Sequence, residues 1–155
     1  MNKKIKKLTI LSIIFILLDQ ITKFIAPRFK NFEIGFLHIE DVHNTGIAFG
    51  INSSNMTNLC FVIIVLAMII NFVYHQKERL DNRTTIALAL VISGGIGNLI
   101  DRIFRGAIVD FIGIGKFPIF NLADVFLVIG WFLLIISVWI IFNRDMKVLK
   151  KDKNK

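Results

Sequence analysis

Four apolar blocks, residues 8–26, 56–74, 84–104 and 125–142, leave this chain few ways to fold. With its flanks each reaches about 17–25 residues, the length a helix needs to cross roughly 30 Å of hydrocarbon. The fourth carries no charge from Val125 to Phe142. A bilayer core offers no water to backbone N–H and C=O groups, so an isolated span must be helical. Apolar residues make up 55% of the chain, more than an ordinary soluble domain carries. The expectation is one polytopic membrane domain over residues 1–155, all-α in class, with four transmembrane helices and outer loops at 27–55 and 105–123.

The net charge of +8 invites a nucleic-acid reading, and its distribution argues against one. Lys3, Lys4, Lys6 and Lys7 precede the first block. Lys77, Arg79 and Arg83 separate the second from the third. Arg144, Lys147, Lys150, Lys151, Lys153 and Lys155 follow the fourth. Four crossings put all of these on one side, which the positive-inside rule makes cytoplasmic. Both termini are then cytoplasmic, and the basic tail meets anionic lipid rather than nucleic acid. The first block has the lysine-rich start of a secretory signal, but Asp19-Gln20-Ile21-Thr22-Lys23 follows instead of a small-residue cleavage site. It reads as a retained helix. Cys60 is the single cysteine, so no intrachain disulfide forms, and it is expected to pack as a small apolar residue.

The connections differ in character. Residues 75–83 are short and charged, a plain helix–helix link. Residues 32–51 place apolar side chains at 32, 34 and 36, then at 37 and 39, among Gly35, Gly46 and Gly50. That pattern predicts short strands with a register break. The result is a small extracytoplasmic β-sheet formed largely by the first outer loop. The second outer loop carries Phe111, Ile112, Ile114 and Phe117, too apolar for pure solvation, so it dips into the interface or covers something.

Polar groups gather beside the outer ends of these blocks. An ionised carboxylate costs roughly 2.5–3.5 kcal/mol at a helix centre and less toward the interface. Five clusters at one depth therefore suggest a site. Asp19 and Lys23 share a face at i, i+4, which alone reads as a self-neutralising ion pair. Asn44, with Thr45 and Gly46, alone reads as a turn. Ser93 to Gly97, Gly94 included, is small enough for close helix packing. Asn98, Asp101 and Arg102 project from one face and are not explained by packing. Asp124 closes Phe120-Asn121-Leu122-Ala123-Asp124 and alone reads as a helix cap. Asp110 stands before Phe111. Two such carboxylates brought together share a proton, because like charges in contact do not both ionise. One then takes a proton from water while the other donates to a scissile carbonyl oxygen. Spacing alone does not bring Asp110 and Asp124 together.

Other chemistries fit poorly. HExxH is absent. His38, Glu40, Asp41 and His43 lack metal-ligand spacing and read as solvent-facing loop residues. Ser93 has no histidine near it in sequence, and no phosphate-cradling loop ends in Lys-Ser or Lys-Thr.

Together, DQITK at 19–23, NTGIAF at 44–49, GGIGNLIDR at 94–102, GAIVDF at 106–111 and FNLAD at 120–124 resemble lipoprotein signal peptidase, the type II signal peptidase of bacteria. Each motif is weak alone; five in order across nearly the whole chain are specific. The resemblance implies an aspartyl endopeptidase of the cytoplasmic membrane, with its site on the extracytoplasmic face. Such enzymes cut the signal peptide from a prolipoprotein just before a cysteine already carrying diacylglyceryl. It implies Asp110 and Asp124 as the catalytic pair. Asp19, Lys23, Asn44, Gly94, Asn98, Asp101, Arg102 and Asn121 would support the site or bind substrate. It also implies inhibition by globomycin, association with membrane lipid, and action as a monomer. No cofactor is expected, since a proton-sharing pair activates water unaided, and no metal is expected. The GxGD signature of presenilin-type proteases is absent. The connector between the two aspartates is short for the family, which bears on any lid.

Two other readings compete. A small proton-coupled transporter or channel would spread its charges through the bilayer depth, whereas here they gather at one face. A non-enzymatic assembly factor gives no reason for two carboxylates beside the spans.

Overall fold

The computed structural model describes residues 2–46, 55–78 and 80–153. Residues 47–49 of the second motif, and Arg79 and Lys155 of the charge pattern, lie outside the described residues. Among the described residues four α-helices carry the chain: α1 (Lys3–Ile25), α2 (Asn55–Gln76), α3 (Asn82–Phe104) and α4 (Leu122–Lys153). Three strands join them: β1 (Glu33–Ile34), β2 (Leu37–Asn44) and β3 (Ile108–Ile114).

Among the described residues, three helical segments are long and apolar enough to cross a bilayer: Lys3–Phe29, Asn82–Phe104 and Leu122–Arg144. The described apolar stretch of α2, Cys60–Gln76, is shorter. α3 is the central helix: 67% of its apolar window is buried, against 22% and 18% for the segments built on α1 and α4. Its small residues allow this. A Cβ on Gly94 would stand 2.5 Å from the Ala123 carbonyl oxygen and 2.7 Å from Leu127 Cγ, so α4 packs against bare backbone there. The surface is the inverse of a soluble protein's, with Phe24, Met68, Val128 and Trp139 all exposed. Cys60 is exposed on α2 rather than packed inside, a correction to the sequence reading. An outward face is no handicap to an apolar side chain in a helix that meets lipid instead of water.

α4 starts at Leu122, three residues before the fourth block, and runs on through the basic tail to Lys153. At the other end of the bundle Asp81 caps α3, its side chain accepting the Thr84 N–H at 2.8 Å.

The sheet is antiparallel in the order β1-β2-β3. Ile34 pairs with Leu37 across a two-residue turn at Gly35-Phe36, where Gly35 takes φ +62°. The break in the apolar alternation is thus a hairpin turn. Strand β3 comes from the second outer loop and lies against β2, so that loop contributes a strand to the sheet. Its first four residues, Ile108 to Phe111, are all buried. Ile39 pairs with Ile112 and Val42 with Asp110, so Glu40 and Asp41 both oppose Phe111 in a bulge.

Candidate active site

The C-terminal ends of α1 and α3, the start of α4 and strand β3 meet at one end of the bundle. Asp19 and Lys23 from α1, Asn98 and Asp101 from α3, Asp110 from β3 and Asn121 before α4 are all buried there.

The start of α4 is organised first by its own sequence. Asn121 Oδ1 accepts the Asp124 N–H at 3.0 Å, and Asp124 Oδ2 accepts the Asn121 N–H at 3.1 Å. This reciprocal cap satisfies two backbone donors and fixes the Asp124 carboxylate beside Asn121. The cap reading of Asp124 is correct in kind, but Asn121 holds the cap position and Asp124 answers it three residues on.

Asn121 also reaches across the site. Its Nδ2 donates to Asp110 Oδ1 at 2.6 Å and to Asn98 Oδ1 at 3.2 Å. Asn98 Nδ2 donates to Asp124 Oδ1 at 2.8 Å. The two carboxylates that the sequence leaves apart are therefore joined through one asparagine. On the far side of Asp110, Asn44 Nδ2 donates to Oδ2 at 2.9 Å, while Asn44 Oδ1 accepts the Gly46 N–H at 2.9 Å. Val42 opposes Asp110 and Asn44 opposes Ile108, so Asn44 and Asp110 form a diagonal cross-strand pair. Arg102 donates to the Gly46 carbonyl at 3.3 Å and lies near enough to Asp124 and Asp110 to interact with both charges.

Beneath this lies a closed ionic cluster. Lys23 Nζ donates to Asp19 Oδ2 at 2.9 Å, Asp101 Oδ2 at 2.7 Å and Asn98 Oδ1 at 3.0 Å. An ammonium has three protons, and each has its acceptor. Asp19 and Lys23 are thus more than a self-neutralising pair, since Asp101 shares the cation. Asp19 Oδ1 accepts the Ala123 N–H at 2.8 Å, tying α1 to the first turn of α4. The approach is close: a Cβ on Gly97 would fall 2.5 Å from Asp19 Oδ2.

Two further members were missed in the sequence. Gln20 Nε2 donates to Asp19 Oδ2 at 3.0 Å and to the Gly97 carbonyl at 3.2 Å. Arg105 pairs with Asp101 and donates to Gln20 Oε1 at 2.9 Å. Arg105 lies i+4 from Asp101, the same spacing as Asp19 and Lys23, so its signal was present. Gln20 had none. The histidines of β2 make local pairs: His38 with Glu40 at 3.1 Å and His43 with Asp41 at 3.5 Å. Among the described residues no group of three potential metal ligands is assembled.

Burial pushes the Asp110 carboxyl up from the ordinary 3.8 to about 6. The Asn44 hydrogen bond opposes the rise, neighbouring Asp124 adds to it, and Asn121 and Lys23 work against it. Between about pH 4 and 6 the folded protein therefore keeps a proton that the unfolded chain has already released. Stability contributed by this group is full below about pH 4 and is lost as pH rises through about 6, a change of about 3 kcal/mol. Unfolding of the wild type and Asp110→Asn in detergent micelles, compared from about pH 4 to 7, measures it. The wild type should lose that stability relative to the variant as pH rises; parallel curves contradict the assignment.

An exposed apolar belt around a buried polar cluster defines a class, the multi-pass membrane proteins. A family model described as Signal peptidase (SPase) II matches residues 11–140. The chain belongs to the signal peptidase II family, and with it to the aspartic peptidases. It is 40% identical to a lipoprotein signal peptidase of Halalkalibacterium halodurans, over 94% of this chain and 97% of that one. A lipoprotein signal peptidase of Staphylococcus aureus is 35% identical, covering 83% of this chain and 85% of its own. A solved structure described as a bacterial membrane enzyme superimposes with a TM-score of 0.76 at 34% identity, covering 89% of this chain and 97% of that one. A second such structure gives 0.74 at 33% identity, covering 87% and 88%.

Proposed function

We propose that the protein is an endopeptidase that removes signal peptides from prolipoproteins, cutting just before a diacylglyceryl-modified cysteine. Asp110 and Asp124 act as a catalytic pair. The observation that carries the reading is Asn121, which holds Asp110 through its side-chain amide and Asp124 through its backbone N–H.

Asp110, with its raised pKa, holds the shared proton. Asp124 takes a proton from water, the water oxygen attacks the scissile carbonyl carbon, and Asp110 donates to the carbonyl oxygen. Collapse of the tetrahedral intermediate breaks the C–N bond: the leaving cysteine amine takes the proton from Asp124 while a hydroxyl of the intermediate returns one to Asp110, restoring the pair. Asn44 and Asn98 orient the two carboxylates, and Asn121 spaces them. Lys23 with Asp19 and Asp101 holds α1, α3 and α4 in register beneath, and Gly94 permits the close helix approach behind Asp124. Arg102 holds the loop after Asn44. No cofactor enters these steps.

In this reading α2 crosses the bilayer as well, giving four spans, cytoplasmic termini and a site on the outer face where an exported signal peptide arrives. The thirteen basic residues outside the opposite ends of the spans support that orientation. A reporter fused after Lys155 should show cytoplasmic activity; a signal from the other side overturns it. The apolar flanks of α1 and α4 suit a lipid-modified substrate entering sideways to a monomer.

The purified protein should cut a diacylglyceryl-modified prolipoprotein on the N-terminal side of the modified cysteine, and a globomycin-type inhibitor should stop it. An unlipidated substrate should be cut at least about tenfold more slowly, because it has no acyl chains to bury against the apolar helices. Equal cleavage of both would remove the substrate assignment.

A further inference from the structure

The N-terminal end of α1 carries three lysine side chains that the described residues do not pair. Lys3, Lys6 and Lys7 line a groove of about 360 Å³ together with Ile10 and Leu11. These positions fall at i, i+3, i+4, i+7 and i+8, a single stripe of the helix. Lys4, off the stripe, donates to Asn82 Oδ1 at 2.7 Å on α3, and Leu8 and Ser12 are buried. The side chains of Lys3, Lys6 and Lys7 make no hydrogen bond or ion pair with the described residues. The first turn of α1 contains no acidic side chain. Its free N–H groups already present positive potential, and the lysines add to it. Below them the stripe continues through exposed Ile14.

We propose that this stripe is a binding site for one anionic phospholipid. Its phosphate sits among Lys3, Lys6 and Lys7, and an acyl chain runs down the aliphatic side chains below. Charge and depth both fit. Three cations without side-chain partners among the described residues face a net-negative headgroup, whereas a zwitterionic lipid brings its own ammonium. Ile10 lies about 10 Å along the helix from Lys3, the step from headgroup to upper acyl chain. Along α1 the groove lies about 12–24 Å from Asp19, so it is separate from the peptidase site and does not rest on that reading.

Native mass spectrometry of the full chain in non-ionic detergent, with equal phosphatidylglycerol and phosphatidylcholine, tests this. Phosphatidylglycerol should be retained at least about tenfold better. Lys3→Gln/Lys6→Gln/Lys7→Gln should abolish the preference. Lys147→Gln/Lys150→Gln/Lys151→Gln, which removes the same charge from the tail, should lower it far less. Should the first triple variant fail to fold, Lys3→Gln and Lys7→Gln singly should each lower retention about threefold. Ile10→Ser/Leu11→Ser should also weaken retention, and free glycerol 3-phosphate should not displace the lipid. Equal loss in both triple variants, no headgroup preference, retention unchanged by Ile10→Ser/Leu11→Ser, or displacement by glycerol 3-phosphate each overturns the proposal.

Discussion

Asp110→Asn and Asp124→Asn are each expected to lower turnover of a diacylglyceryl-modified peptide by about 10²–10⁴-fold, the range for loss of a positioned acid or base. The substitution keeps the side chain's shape and removes its proton chemistry. At position 110 it also replaces one acceptor by a donor, opposite the amides of Asn44 and Asn121. Asn44 or Asn121 must then turn, at a cost of about 1 kcal/mol, too little to unfold the protein. Thermal unfolding of each purified variant, beside its rate on the lipidated peptide, separates chemistry from folding. Full turnover by either folded variant removes the catalytic pair.

Lys23→Met should produce the largest loss of stability. Asp19, Lys23 and Asp101 have side chains 0% exposed, and the ammonium is the cation shared by both carboxylates. Removing it leaves buried Asp19 with no counter-ion, Asp101 with Arg105 alone, and Asn98 Oδ1 with only the Asn121 amide. Breaking a buried pair on one side costs about 3–5 kcal/mol, far more than loss of a surface pair. The midpoint of thermal unfolding should fall by roughly 10 °C on the scaling for chains of this length. A fall of less than about 2 °C would mean the cluster is dispensable. Lys23→Arg is not a safe replacement, because a planar guanidinium does not reproduce three acceptors around one nitrogen.

Three membrane-length helices, α1, α3 and α4, were legible because apolar runs of that length have few other meanings. The β1–β2 hairpin was legible from the phase change in alternation beside Gly35. Strand β3 was not, since Ile108 to Phe111 are buried on both faces and alternation vanishes. In the site, Asp19 with Lys23 and Asn98 with Asp101 followed from helix spacing. The link from Asp110 to Asp124 did not, because it runs through Asn121, whose several hydrogen bonds join separate segments. Gln20 was hidden for a related reason: it adjoins and bonds Asp19, yet its other donor bonds reach α3.

The reciprocal cap at the start of α4 has a mechanical consequence. Asp124 takes its bearing from the phase of a long helix, not from the shape of a loop. One residue inserted between Asn121 and Asp124 would swing the carboxylate by about 100° around the axis and break the cap in the same stroke. An insertion between residues 115 and 119 would leave that phase alone. The chain can therefore vary in length just ahead of the helix and not within its first turn.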